Sequence, residues 1–405
     1  MIDLKKKKII FFSTDIADIK IANFFKKNGL KIFCFHTNLI SYFIGLFIFK
    51  KNFISLKKNE YKRNKDVEYL AKRNFATISK RLTIKECIEC YHATLNKFQK
   101  LNLDNDYVFF IPSGRHMHHE AAKIYALKNK ISKLYLNYSN IPGYIFLDPL
   151  GTDAKSLIFK KPHILKNISS KKINYKKTIL KFKNIKKKQT KLPQQKKNFF
   201  LKFTKIIFFI ENYLQFLFKT CSDRKIKYMS KKKIVLEKQS QTLNEFKHKK
   251  FAFFPMQITT DVQILNNYKK KNIFFALNDA ILLAKKKGVV LYVKENPAEN
   301  NPILVKKYLQ NLKKKYPNHI YIIQNKSVYE IINKCKFVIN VNSTVGLEAI
   351  LNSKKVVFLG KSMYANFNKE NLARYLSSYL VNFDYHNPKN IKNLINKLNF
   401  YINLN

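Results

Sequence analysis

Acidic residues are scarce: 25 Asp and Glu stand against 79 Lys and Arg in 405 residues, a formal net charge of +54. Glycine is limited to 8 and tryptophan is absent, while Lys, Asn, Ile, Phe and Tyr abound. That bias fits A/T-rich codons acting across a whole proteome, and this reading ranks above a dedicated nucleic-acid surface, because charge patterning alone is a weak motif. In either case, non-specific polyanion binding at low salt is expected. Five cysteines, an odd number spread along the chain, exclude a disulfide scaffold and fit a reducing compartment. Cys87 and Cys90 form a CxxC in a helix-like context with no second pair to complete a zinc site, so they read as helix-surface or core thiols. There is no Walker loop, GxGxxG, HExxH or GxSxG, which removes P-loop kinases, nicotinamide dehydrogenases, zincins and ordinary α/β hydrolases.

Long apolar runs are also missing. The opening Met-Ile-Asp-Leu-Lys-Lys-Lys-Lys leads into Ile9–Phe12, too short for a signal h-region, so no secretory leader is expected. Leu39 to Phe49 is apolar but too short to span a bilayer. Residues 199–220 are broken by Lys202, Lys205, Glu211 and Lys219 and read as amphipathic.

What is present is 46% hydrophobic sequence arranged in alternation. Strand-like runs at Ile9–Ser13, Leu30–His36, Tyr107–Pro112 and Lys133–Leu136 are separated by helical patterns at 16–28, 66–100 and 120–129. Alternation resumes at Phe251–Pro255 and runs through strands at 288–294, 319–323, 337–341 and 355–359. This predicts an α/β chain with two Rossmann-like domains. The expected division is 1–160, a Lys-rich linker with an amphipathic helical segment over 161–248, a second Rossmann-like domain over 249–385, and a terminal helix over 386–405. No acid occurs between Asp153 and Glu211, so the linker suits an anionic membrane surface, each lysine near it contributing about 1 kcal/mol, as well as it suits a solvated tether.

Candidate site residues cluster where predicted strands end. Asn342-Ser-Thr-Val-Gly-Leu-Glu348 follows a strand and opens a helix, whose N-terminal N–H groups favour an anion. Ser343 and Thr344 suit a phosphate or a plain cap, Gly346 a close approach, and Glu348 either the helix dipole or ribose hydroxyls. Lys294, with Asn296 after it, ends another strand and is placed to neutralise phosphate. Gln257 and Asp261 follow Pro255, where turn chemistry explains them equally well. Asp148 suits a nucleophile or base, although an Asp-Pro turn is the simpler reading. Arg115 suits bidentate pairing with a carboxylate or phosphate. His116, His118 and His119 read as polar loop histidines rather than metal ligands.

Taken in order, Pro-Met-Gln-(x)3-Asp from 255, Lys-Glu-x-Pro from 294, Asn342–Glu348 and the run Asn140–Ser156 resemble the capsule polysaccharide biosynthesis family, which includes retaining β-Kdo transferases. The resemblance spans about 105–160 and 250–365. It implies a GT-B-like arrangement with the sugar-nucleotide site between the domains, a CMP-activated sugar acid donor held mainly by the second domain, and a glycolipid or polysaccharide acceptor. It further implies that Lys294, Ser343 and Thr344 hold the nucleotide phosphate and that Asp148 is the first-domain carboxylate. No metal or other cofactor is implied, since Lys, Ser/Thr and a helix dipole take the phosphate charge.

Two departures stand out. Asn137 replaces a common Glu, losing an acid/base carboxylate, and Asn296 replaces a common His. The resulting expectation is a cytoplasmic transferase, peripheral on the inner face of the cytoplasmic membrane. The alternatives are a catalytically degraded assembly or export accessory and, without any recognised motif, a basic nucleic-acid-binding protein.

Overall fold

The computed structural model describes residues 1–54, 58, 60–62, 64–168, 173–187, 201–222 (backbone only over 201–208), 246–299, 301–385 and 394–404. The chain divides into two compact units: Met1–Ile168, Lys197–Tyr228 and Ser378–Asn405 form the first, and Ser169–Lys196 with Met229–Ser377 the second. Each has its own sheet. The strands are β1 (Lys8–Ser13), β2 (Lys31–His36), β3 (Asn52–Ile54), β4 (Tyr107–Pro112), β5 (Ser132–Tyr138), β6 (Tyr144–Asp148), β7 (Phe251–Pro255), β8 (Val290–Lys294), β9 (Ile320–Ile322), β10 (Phe337–Asn340), β11 (Lys355–Phe358) and β12 (Val381–Asn382).

In the first unit the order is β12-β6-β5-β4-β1-β2-β3. β1 to β5 run parallel, while β6 is antiparallel to β5 and β12 antiparallel to β6. Ile9, Ile10, Phe11 and Phe12 are all fully buried, as a parallel strand covered on both faces requires. Phe12 meets Phe109 edge-on at 5.4 Å and Phe98 at 6.0 Å, so aromatic packing fills the layer between the sheet and the helix Ile84–Leu101.

The second sheet is entirely parallel, in the order β11-β10-β7-β8-β9. Phe254, Leu291, Val293 and Ile339 pack toward the helix Ile273–Lys286. Phe253, Tyr292 and Val338 fill the opposite layer, with Ile331 of the helix Val328–Lys334 and Ala349 of the helix Thr344–Leu351. Strand order reverses between β1 and β4 in one unit and between β7 and β10 in the other, the two topological switch points where open α/β sheets leave a crevice.

The structure departs from the sequence expectation in several elements. The continuous helix expected over 66–100 is three helices, Lys65–Arg73, Phe75–Ile78 and Ile84–Leu101. Extended Asn74 ends the first and caps the second, accepting from Ala76 N at 2.9 Å, and a Thr83–Glu86 capping box starts the third. Strands β3, β6 and β12 lie outside the predicted set. Within the segment read as linker, Tyr175–Lys187 is a helix of the second unit that buries Ile179 and Phe182 and contacts the helices Thr344–Leu351 and Lys369–Arg374. The final helix, Leu394–Ile402, belongs to the first unit. There Asn399 and Asn403 accept from Leu4 N at 2.9 Å and Ile2 N at 2.7 Å. The parts of the linker and terminal-helix expectations at 169–172, 188–200, 223–245, 386–393 and 405 lie outside the described residues. Cys87 and Cys90 are buried in a helix, as core thiols.

Candidate functional site

In the second unit the polar candidates gather at the carboxyl ends of β7, β8 and β10. β7 delivers Gln257, which donates to Asp261 Oδ2 at 3.0 Å. Asp261 in turn caps the short helix Val262–Asn267 through Gln263 N at 2.8 Å. Gln263 Oε1 accepts from Asn342 Nδ2 and from Asn267 Nδ2, each at 2.6 Å. A hydrogen bond therefore crosses the switch point, tying the segment after β10 to the segment after β7.

The helix Thr344–Leu351 starts at this place. Ser343 is its N-cap, accepting from Val345 N at 3.2 Å, and its hydroxyl keeps a proton to donate. The turn is held by Asn340, whose Oδ1 accepts from Ser343 N at 2.9 Å and whose Nδ2 donates to Ser343 O at 3.1 Å. Gly346 is required here: a Cβ would fall 2.3 Å from Asn340 Nδ2 and 3.1 Å from the Phe358 ring. Val345 N is taken by Ser343 Oγ and Gly346 N by Ser343 O at 3.0 Å, so the helix dipole and the Ser343 hydroxyl proton are what suit this helix start to an anion.

Lys294 ends β8, and its Nζ donates to Gln324 O at 2.5 Å. Partial burial pulls its ammonium below the usual lysine range, against the neighbouring Glu295 and Glu330 carboxylates. Asn296 shapes the following turn by accepting from Ala298 N at 3.0 Å. Glu348 is paired with Lys186 Nζ at 2.9 Å, both side chains largely buried, so the carboxylate joins the helix Tyr175–Lys187 to the site helix.

In the first unit Asn137 and Asp148 lie on paired strands. Asn137 is opposite Phe146 and Asp148 opposite Tyr135. Asp148 is fully buried. Its Oδ1 accepts from Leu150 N, Gly151 N and Leu157 N at 2.8, 3.0 and 2.9 Å, and its Oδ2 from Leu157 N and Tyr379 Oη at 2.8 and 2.9 Å. Burial pushes its carboxyl up while these donors pull it down. The carboxylate organises the loop 148–157, with both oxygens engaged. Thr152 Oγ1 donates to Ser113 O at 3.0 Å, tying that loop to the end of β4 beside Arg115. The Arg115 carbonyl accepts from Asn74 Nδ2 at 3.1 Å.

The histidines are not in a polar loop. His116 caps the helix Met117–Lys128, and His118 and His119 are buried inside its first turn, their ring centroids 4.0 Å apart and 6.2 and 5.8 Å from Phe12. Packing against that ring holds them in the core, and burial lowers His119 well below the usual histidine range. Among the described residues no group of three or more His, Cys, Asp or Glu is arranged to hold a metal ion.

Sequence reading did not nominate Asn340, Gln263, Gln324 or Lys186. Asn340 closes a buried strand immediately before the candidate motif, and an Asn in that place is the signal that points to a side-chain-held turn. Gln263 and Gln324 lie in ordinary polar context, so nothing local marks them.

No curated protein sequence matches this chain. Among solved structures it is similar to the Thermosulfurimonas dismutans KpsC β-Kdo 2,7 transferase, with 13% identity, 98% of each chain covered and a TM-score of 0.42. It is also similar to the β-Kdo 2,4 transferase of the same organism's KpsC, with 12% identity, 72% of this chain and 86% of that one covered, and a TM-score of 0.40. A third similarity is to the S. aureus MnaA–UDP complex, with 13% identity, 98% and 97% coverage and a TM-score of 0.30. Residues 112–367 match the family described as "Capsule polysaccharide biosynthesis protein". That span takes in every candidate residue from Arg115 to Glu348 and well over half of the sequence, and the chain belongs to this family.

Proposed function

We propose that the chain is a glycosyltransferase of capsule polysaccharide synthesis that takes a CMP-activated sugar acid of the Kdo type and passes the sugar to a glycolipid or polysaccharide acceptor. The observation that carries this reading is the Asn342–Gln263 hydrogen bond across the β7/β10 switch point, which sets the Ser343-capped helix start among strand-end polar groups. A nucleotide phosphate suits that place: the helix dipole, the Ser343 and Thr344 hydroxyls and Lys294 supply donors and positive charge. Gln257 and Asp261 then border the ligand, with Asn296 in the adjoining turn.

During transfer the bond from the anomeric carbon to the phosphate oxygen breaks, CMP leaves with the electron pair, and the acceptor hydroxyl oxygen forms the new bond as its proton passes to the departing phosphate. Stabilising the leaving phosphate is the task of the second unit. Arg115 suits the carboxylate of a sugar acid, since guanidinium pairs with carboxylate in a bidentate fork. Asp148 is a positioning residue that keeps the 148–157 loop beside Arg115. With +54 net charge the protein is expected to work peripherally at the anionic inner face of the cytoplasmic membrane, with no specific nucleic acid as partner.

A second reading is favoured by one observation: Asp148 has both oxygens engaged and Asn137 offers no carboxylate. In that reading the chain binds nucleotide or glycan as an assembly accessory without turnover. Calorimetric titration with CMP and with CDP-, UDP- and GDP-nucleotides, repeated on Ser343→Ala with Lys294→Ala, tests the proposal. Selective CMP binding lost in the double variant supports it, and sugar-acid transfer from the CMP donor then separates transferase from accessory. Preference for another nucleotide overturns the donor, and absence of nucleotide binding overturns the site.

A further inference from the structure

Two helices of the first unit turn the usual arrangement inside out. In an amphipathic helix of a water-exposed domain the polar side faces solvent. Over its described side chains the helix Leu201–Leu217 does the reverse. Glu211 and Gln215 point inward and are buried, while Phe209 and Phe216 are 75% and 81% exposed. The inward carboxylate has a defined partner. Glu211 Oε1 accepts from Leu39 N at 2.7 Å and Oε2 from Ile40 N at 2.8 Å, and Gln215 Nε2 donates to Oε1 at 2.7 Å. Glu211 thereby occupies the N-terminus of the helix Leu39–Ile48, where a carboxylate complements the dipole. This second helix is also apolar outward, with Phe47 93% exposed and Phe43 half-exposed.

Pinned by that carboxylate, the two helices carry a shared set of exposed aromatic side chains. Their chemistry selects the occupant. No Asp or Glu occurs over residues 19–59 or 154–210, and the one acid from 154 to 222 is Glu211, which is buried. Both helices are followed by exposed cations, Lys50 and Lys51 after one and Lys219 after the other. Lys58 N donates to Lys219 O at 3.0 Å, which fixes that end of the face, while the Lys58 ammonium is paired with Glu89 at 3.3 Å. Exposed aromatic side chains flanked by Lys50, Lys51 and Lys219 match the acyl–headgroup boundary of an anionic bilayer, with the nearby Glu89 buried and neutralised by Lys58. The helices have 10 and 17 residues, and among the described residues no helix is long and apolar enough to cross a membrane. Seating flat at the interface is the mode that fits such lengths.

The geometry points to this two-helix face as the docking surface for an anionic lipid bilayer, inserting Phe43, Phe47, Phe209, Tyr213, Phe216 and Phe218. The inference deepens the peripheral-membrane part of the proposed function and rests on it. It adds that binding is by aromatic insertion as well as charge, and that Leu39–Ile48 takes part.

The chain has no tryptophan, so Phe216→Trp in the full-length protein creates a unique reporter. Vesicles of phosphatidylcholine with and without phosphatidylglycerol serve as the probe, at low salt and at about 0.5 M salt, where surface charge is screened within a few Å. The expected result is a blue shift and quenching by bromine-labelled acyl chains on the anionic vesicles. Binding should persist in part at the higher salt, and Phe47→Ser with Phe209→Ser should weaken it roughly tenfold or more while circular dichroism stays unchanged. Equal binding by the double variant, or fluorescence of the Phe216→Trp protein that stays unquenched on bound vesicles, overturns insertion and leaves charge alone. Sedimentation as a dimer that the same double variant dissolves assigns the face to a second copy and overturns it as well. Failure to bind vesicles at any salt, with nucleotide binding intact, overturns the membrane reading without touching the transferase reading.

Discussion

The hydroxyl of Tyr379 donates to Asp148 Oδ2 at 2.9 Å, joining residues 231 positions apart inside the first unit. Tyr379 thereby completes the donor set of a buried carboxylate. Tyr379→Phe removes one of these donors and is expected to cost about 1–3 kcal/mol in urea unfolding of the full chain. Asp148→Asn should cost more, because its amide –NH2 would face backbone N–H groups where a carboxylate now accepts. A catalytic nucleophile at Asp148 would predict the opposite outcome, an inactive but fully stable Asp148→Asn protein.

Asp18 sets a pH dependence. Its carboxyl is pushed up to about 7, first by burial and then by the Asp15 carboxylate, while donors from Tyr385 and Thr14 pull the other way. The folded state therefore favours the protonated acid. The stability it contributes is complete below the ordinary value of 3.8 and is lost as pH rises through about 7. Thermal unfolding followed across that window should show Asp18→Asn flattening the decline. Tyr385→Phe removes a donor to the charged form and should extend the decline to higher pH.

The Lys186–Glu348 pair at 2.9 Å is buried on both sides, with 6% and 12% of the side chains exposed. Lys186→Met leaves Glu348 buried without its partner, and a loss of about 3 kcal/mol is expected in denaturant unfolding. Adding Glu348→Gln should recover part of that loss, because the unpaired charge is then gone.

Gly346→Ala tests the helix start. Its methyl would sit 2.3 Å from Asn340 Nδ2, which is itself held to Ser343 O at 3.1 Å. The collision should displace Asn340, cost about 1–3 kcal/mol, and weaken nucleotide binding as the Ser343 cap shifts. Calorimetry and unfolding on the same preparation read both effects.

Several elements were legible because local chemistry determines them. β1, β7 and β10 read as apolar runs because strands buried on both faces favour apolar side chains, with the buried polar residues Ser13 and Asn340 standing only at the last positions. Ser343 read as a helix start because an unpaired N–H needs a side-chain acceptor wherever a helix begins, whereas Asp261 read only as a strand-end polar group and caps the six-residue helix Val262–Asn267, which is too short to show a period. β3 and β12, at 3 and 2 residues, carry too few positions for any pattern and exist because neighbouring strands offer an edge. The helix Tyr175–Lys187 was hidden by its lysines, with only Ile179, Phe182 and Lys186 turned inward.

The sequence by itself determined the alternation of strand and helix, the absence of P-loop and dinucleotide motifs, the strand-end placement of Lys294 and Ser343, and the basic surface, since each follows from side-chain type and spacing within a few residues. Tertiary structure alone decided that Asp148 meets Tyr379, that Glu348 meets Lys186, and that Glu211 faces inward while its aromatic neighbours face out. Those outcomes depend on which distant donor or cation reaches a buried carboxylate. A buried carboxylate must be satisfied wherever the fold brings a partner, and the chain positions of those partners leave no local trace.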